Sequence, residues 1–158
     1  MSERSVTHAT FVIERSYPTP PQRVFAAFSD PGKKRRWFAG GEGKRVDAFE
    51  MDFRVGGKEK MTVRLPETTP FPDVPCTNDT TYQDIEGQSR IVIAYTMAVG
   101  GRRISASLAT FEFLAVNTGT KLLFTEQAAF FEGADGPQMR EEGWQHLLDS
   151  LGVELEGR

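Results

Sequence analysis

Along most of this chain apolar and polar residues alternate with period two, and in a few places the spacing becomes helical. Thr10–Arg15 (Thr-Phe-Val-Ile-Glu-Arg) is a β-prone run and predicts the first strand. Thr19-Pro20-Pro21-Gln22 reads as a helix start, with Thr19 as the cap, Pro20 at the first helical position and Gln22 closing a capping box. Val24, Phe25 and Phe28 then follow at helical spacing. Asp30-Pro31 repeats that logic for a second short helix, which ends near Trp37-Phe38 and is stopped by Gly40-Gly41.

From Val46 the alternation takes over. Val46–Phe53 puts Phe49, Met51 and Phe53 on one face and Glu50 and Asp52 on the other. Gly56-Gly57 supplies a hairpin turn, and Lys58–Leu65 returns with Met61, Val63 and Leu65 in phase. Pro66–Pro75 is too rich in proline for a central strand and reads as a loop. Strands resume at Thr77–Ile85 and Arg90–Met97, joined around Glu86-Gly87, the second with Ile91, Ile93, Tyr95 and Met97 on one face. After a turn at Gly100-Gly101, Ser105–Phe113 places Ser105, Ser107, Ala109, Phe111 and Phe113 together. Small side chains on an inward face leave space of the kind a cavity needs. The opposite face, with Ile104, Ala106 and Leu108, is unusually apolar and calls for cover by a helix or by a second subunit. Thr120–Ala129 turns Leu122, Phe124 and Glu126 inward.

The last helix opens near Asp135-Gly136-Pro137-Gln138, where Asp135 can cap and Gln138 can close the box. Trp144, Leu147, Leu148, Leu151 and Leu155 form one stripe on it. The elements add up to an α+β fold: a curved antiparallel sheet of about seven strands gripping a long C-terminal helix, with two short helices after strand one. No internal repeat or linker divides it, so residues 1–158 read as a single domain.

Composition narrows the classes. Hydrophobic residues at 39% and charged residues at 26% exclude a disordered chain. The longest apolar runs, such as Val24–Phe28, are far shorter than the roughly 20 residues of a membrane helix. Met1-Ser2-Glu3-Arg4 lacks the order of a signal peptide, so a cytoplasmic protein with no membrane partner is expected. Cys76, the single cysteine, rules out an internal disulfide and a thiolate zinc site. A net charge of −3 argues against nucleic acid. Lys33-Lys34-Arg35-Arg36 is a local exception, read as a solvated basic helix face rather than an anion-binding patch. Asn78-Asp79-Thr80 matches a glycosylation sequon, a pattern short enough to arise by chance.

Catalytic templates match weakly. His146 falls on the side of the last helix away from the sheet, and His8 lies in a mobile N-terminus, so neither suits a buried site or a metal constellation. Glu126 stands out, because a carboxylate on an apolar inner face must be paired, protonated or functional. It could anchor a polar ligand group, act as a base, return to solvent at a bulge, or pair with Arg140 of the last helix. Tyr82, Tyr95, Trp37 and Trp144 could offer donors to a cavity or serve as plain core. No cofactor or metal site is expected.

Tyr17-Pro18-Thr19-Pro20-Pro21-Gln22-Arg23-Val24-Phe25-Ala26-Ala27-Phe28-Ser29-Asp30-Pro31, followed by Arg36-Trp37-Phe38, resembles the opening of bacterial activator of heat-shock protein 90 ATPase homologue-like domains. Phe49-Glu50-Met51-Asp52-Phe53-Arg54-Val55-Gly56-Gly57, Gly119-Thr120-Lys121-Leu122 and Gly143-Trp144 continue the likeness over nearly the whole chain. The resemblance implies a START-like (SRPBCC) helix-grip fold, shared with birch-pollen-type allergens and polyketide cyclases, whose members bind hydrophobic ligands between sheet and last helix. It carries no universal catalytic set. The eukaryotic activators have an additional N-terminal domain that makes major chaperone contacts, to which nothing in this sequence corresponds.

Three functional readings follow. The first is binding of an apolar or aromatic small molecule, with Trp37, Phe49, Met51, Phe53, Tyr82, Tyr95, Met97, Phe111, Phe124, Glu126, Trp144 and Leu148 as the expected ligand-binding set. The second is a cyclase- or hydrolase-type enzyme using Glu126 or a cavity tyrosine. The third is a co-chaperone-like partner module, with a homodimer through Leu108 as a further possibility.

Overall fold

The computed structural model describes residues 5–41, 44–66 and 73–157. Strand β1 (Thr7–Tyr17) leads into α1 (Pro21–Ser29), α2 (Pro31–Lys34) and a π-helical turn, Arg35–Ala39. Then come β2 (Arg45–Met51), β3 (Lys58–Arg64), β4 (Pro75–Glu86), β5 (Arg90–Val99), β6 (Arg102–Val116), β7 (Gly119–Phe130) and α3 (Pro137–Gly157). The seven strands make one antiparallel sheet in the order β1-β7-β6-β5-β4-β3-β2. The helices between β1 and β2 therefore carry the chain from one edge of the sheet to the other, and α3 packs across its inner face. This is the helix-grip architecture.

Three bulges bend the sheet. Asp47 in β2, Gln83 in β4 and Ile104 in β6 each stand as the extra residue in an otherwise continuous ladder. An inserted residue kinks its strand and increases local twist, which curls the sheet around a helix. The inner face is aromatic. Phe28 packs against Trp37, Phe111 and Phe113 at ring-centroid distances of 5.0, 5.0 and 5.2 Å, and Trp144 of α3 meets Phe124 at 4.4 Å. The helix presents Arg140, Trp144, Leu148, Leu151 and Leu155 to this core. Beyond packing, α3 is tied down by polar links: Tyr17 donates to the Leu148 carbonyl at 2.8 Å, and Arg36 grips Glu154 through two bonds of 3.1 and 2.7 Å.

Several local expectations need correction. The cap of α1 is Pro20, with Pro21 at the first helical position, and Thr19 is a buried residue whose carbonyl accepts from Thr120 Oγ1 at 2.6 Å. Asp30 does cap α2, its Oδ1 accepting from the Gly32 and Lys33 amides at 2.9 and 3.2 Å. Phe53 lies beyond the end of β2, packed on Phe25 and Tyr82. His8 belongs to β1 and is exposed there, paired with Ala129 rather than in a mobile terminus. Ile104 is buried at its bulge, while Leu108 on the outer face is 39% exposed and, among the described residues, no helix covers it. Most of the expected Pro66–Pro75 loop falls outside the described residues, and Pro75 itself opens β4. Among the described residues, no helix is long and apolar enough to cross a membrane.

Candidate functional site

Glu126 occupies an inward position of β7, between Phe124 and Ala128, and has no exposed surface. Its carboxylate accepts from Tyr95 Oη at 2.8 Å, Ser107 Oγ at 3.1 Å and Arg140 Nη1 at 3.3 Å. Arg140 reaches down from the first turn of α3, so the pairing anticipated as one alternative is the one adopted. Its guanidinium also meets Asp135 through bonds of 2.7 and 2.9 Å and donates to Ser105 Oγ at 2.8 Å. Asp135 thus holds Arg140 rather than capping the helix. Tyr95 Oη accepts in turn from Arg140 Nη1 at 3.2 Å and Trp144 Nε1 at 3.3 Å. Burial raises the pKa of Glu126, and Arg140, then Tyr95 and Ser107, pull it partly back. Burial, reinforced by the Glu126 charge, likewise pushes the Tyr95 phenol up. The network is saturated: its groups hold α3 to the sheet.

A second buried polar cluster escaped the sequence reading. Lys34, within the run expected to form a solvated basic face, is 4% exposed and its Nζ donates to Glu59 Oε1 at 2.8 Å. Tyr82 donates to the same oxygen, and Lys34 Nζ lies 4.7 Å from the centre of the Phe38 ring. Burial, then the charge of Glu59, raises the pKa of Tyr82. The signal was present, because Glu59 alternates in phase with Met61 and Val63 just as Glu126 does with Phe124.

Between β3–β5 and the first half of α3 lies a cleft of about 470 Å³. Its walls include Phe38, Met61, Val63, Leu65, Met97 and Trp144, with Met139, Gly143 and Leu147 along the helix edge. Those three recur at i, i+4 and i+8, which places them on one line of the helix surface. Gly143 leaves a gap in that line, since a side chain added there would meet nothing within 4 Å. Deeper in, a small void of about 10 Å³ is bordered by Lys34, Glu59, Asn78, Thr80, Tyr95 and Trp144 among others. Phe38, Asn78, Tyr95 and Trp144 border both spaces.

The expected ligand-binding residues divide among these regions. Tyr95, Met97 and Trp144 line the cleft, and Trp37 and Phe111 join Tyr95 and Trp144 around the void. Trp37 spends its indole N–H on the Ala27 carbonyl at 2.8 Å. Tyr82, Phe124, Glu126 and Leu148 sit in the core, and Phe49 and Phe53 pack half-buried against it. Met51 is half-buried at the end of β2. His146 is exposed and stands at the rim of the cleft. Among the described residues no group of His, Cys, Asp and Glu side chains could hold a metal ion.

The family model "Activator of Hsp90 ATPase homolog 1-like protein" matches residues 18–156. The chain belongs to that family. An uncharacterized protein from Rhizobium leguminosarum is 40% identical, with 99% of this chain and 100% of that one covered and a TM-score of 0.90. A Rhizobium loti protein is 44% identical, covering 96% and 99% of the two chains at a TM-score of 0.82. The AHSA1-like protein from Aeromonas hydrophila, at 20% identity and a TM-score of 0.71 over 94% and 93%, shares the fold. No curated protein matches.

Proposed function

We propose that this family member binds an apolar or aromatic small molecule in the cleft between β3–β5 and α3. The observation that carries the reading is the cleft itself: about 470 Å³, with a largely apolar wall that includes Met, Val, Leu, Phe and Trp side chains, within the range of small-molecule sites. Its helix edge is kept open by Gly143, although glycine inside a helix costs roughly 1 kcal/mol relative to alanine. Binding is favoured over acid–base chemistry at Glu126, because every partner of that carboxylate is committed to the network that seats α3. N-phenyl-1-naphthylamine, an uncharged dye that brightens in apolar surroundings, tests the reading. Emission should rise on mixing with wild-type protein, and Gly143→Leu, which fills the gap between Met139 and Leu147, should weaken the binding severalfold. No rise in emission, or equal affinity in the Gly143→Leu variant, overturns it.

A further inference from the structure

The polar groups around the cleft are nearly all spoken for, and the exceptions lie together. Arg140 is held by Asp135, Ser105, Tyr95 and Glu126. Tyr95 donates once and accepts twice, and Lys44 Nζ donates to the Phe38 carbonyl at 3.2 Å. Lys34 and Glu59 neutralise one another. Asn78 and Thr80, successive inward positions of β4, are different: neither side chain has a hydrogen bond to another described residue. Thr80 is 6% exposed and Asn78 is half-buried, flanked across the ladder by Met61 and Met97. Both border the void of about 10 Å³, and Asn78 also borders the cleft. That void has about the room of a single water. An amide and a hydroxyl left without protein partners in such surroundings are groups a bound molecule can satisfy, at a cost if it does not.

We infer that Asn78 and Thr80 form the specificity-determining end of the cleft, and that they select an uncharged ligand whose apolar body carries one hydroxyl, carbonyl or carboxamide group. The inference rests on the small-molecule reading above and adds the ligand's polar chemistry. Charge decides against an acid or an amine. A carboxylate pushed to this end would approach Glu59, whose cation is already paired, and an ammonium would approach Lys34, whose anion is likewise taken. A neutral donor–acceptor group faces neither penalty, and it pairs with an amide that otherwise stands between two methionines.

Three probes of matched shape separate the possibilities: 2-naphthol, 2-methylnaphthalene and 2-naphthoate, titrated by calorimetry or by displacement of N-phenyl-1-naphthylamine. Wild-type protein should prefer 2-naphthol over the other two by about tenfold, the worth of one buried hydrogen bond. Asn78→Leu should erase the preference over 2-methylnaphthalene while still binding both, and Thr80→Val should reduce it. If 2-naphthoate binds best, or the ranking survives in both variants while Gly143→Leu still weakens every probe, the assignment to Asn78 and Thr80 is overturned and the cleft stands. If no probe binds the wild type, the small-molecule reading fails and takes the assignment with it.

Discussion

Replacing Arg140 with methionine isolates the ion pair that seats α3. Met matches the length of the arginine stem, so the packing over the Phe130 ring is largely kept and the charge is removed. In the variant, Glu126 remains without exposed surface and keeps its bonds from Tyr95 and Ser107, but loses the cation 3.3 Å away. Stripping one partner from a buried pair strands the other charge and costs about 3–5 kcal/mol. Asp135, partly exposed, returns to water at little cost. At about 2–4 °C per kcal/mol for a domain of this size, the melting point should fall roughly 6–20 °C near neutral pH. The deficit should also depend on pH. Burial raises the Glu126 pKa, and Arg140 is the strongest influence drawing it back, so the variant raises it further. A carboxyl that holds its proton more tightly in the folded state contributes stability below its unfolded pKa, near ~4.3, and loses it as pH rises through the folded value. The gap between variant and wild type should therefore be smallest near pH 4.5 and widen as the pH rises toward 8. Urea unfolding followed by tryptophan fluorescence at pH 4.5, 6 and 8 measures it. Adding Glu126→Gln to the variant should recover most of the loss and flatten the pH dependence. A deficit at pH 8 no larger than an exposed pair, about 1 kcal/mol, or one equal at pH 4.5 and 8, refutes the reasoning.

Other substitutions probe separate parts of the molecule. Tyr82→Phe removes a donor to the buried Glu59 carboxylate and should cost about 1.5–3 kcal/mol in urea unfolding. Gly143→Ala, with open space around the added methyl, should stabilise the protein by roughly 1 kcal/mol; a loss would mean the helix there depends on glycine. Asp30→Ala deletes the cap of α2 and should cost about 0.5–2 kcal/mol, whereas Thr19→Val should show no capping effect. Gly119→Ala, at φ +145° and with backbone atoms of Tyr17, Pro18 and Thr19 against the added carbon, should cost roughly 3 kcal/mol or more and show as poor soluble yield.

The fold was legible where the pattern was long and periodic. Strands β5, β6 and β7 and helix α3 each carry a long in-phase series, and every inward position named for them except Met97 and Leu147 is buried. Legibility failed where a side chain's partner is remote. Lys34 lies in a run of four basic residues, and only Glu59, 25 positions away, explains its burial. Thr19 has the chemistry of a cap, but its backbone is claimed by Thr120 across 101 positions of chain. Asp135 is drawn off its helix end by Arg140, a choice set by where Ser105 and Glu126 stand on the sheet. Asn78 was hidden differently, since its in-phase neighbours Cys76 and Thr80 give β4 no apolar stripe to mark the inward face.

The small residues of β6 show how a correct observation can point to the wrong place. Ser105, Ser107 and Ala109 do make room on the inner face, but the room is occupied. Ser105 accepts from Arg140, Ser107 donates to Glu126, and the ring of Trp144 closes over Phe111 and Phe124. Small side chains there admit a guanidinium and an indole from α3, and the hydroxyls satisfy what they admit. The open cleft is displaced toward β3–β5, where the inward residues are medium-sized and the missing volume comes from the helix, at Gly143. A cavity in this architecture therefore depends on both surfaces at once. The pattern of one strand bounds the space available, and the residue the helix sets opposite decides whether that space stays empty.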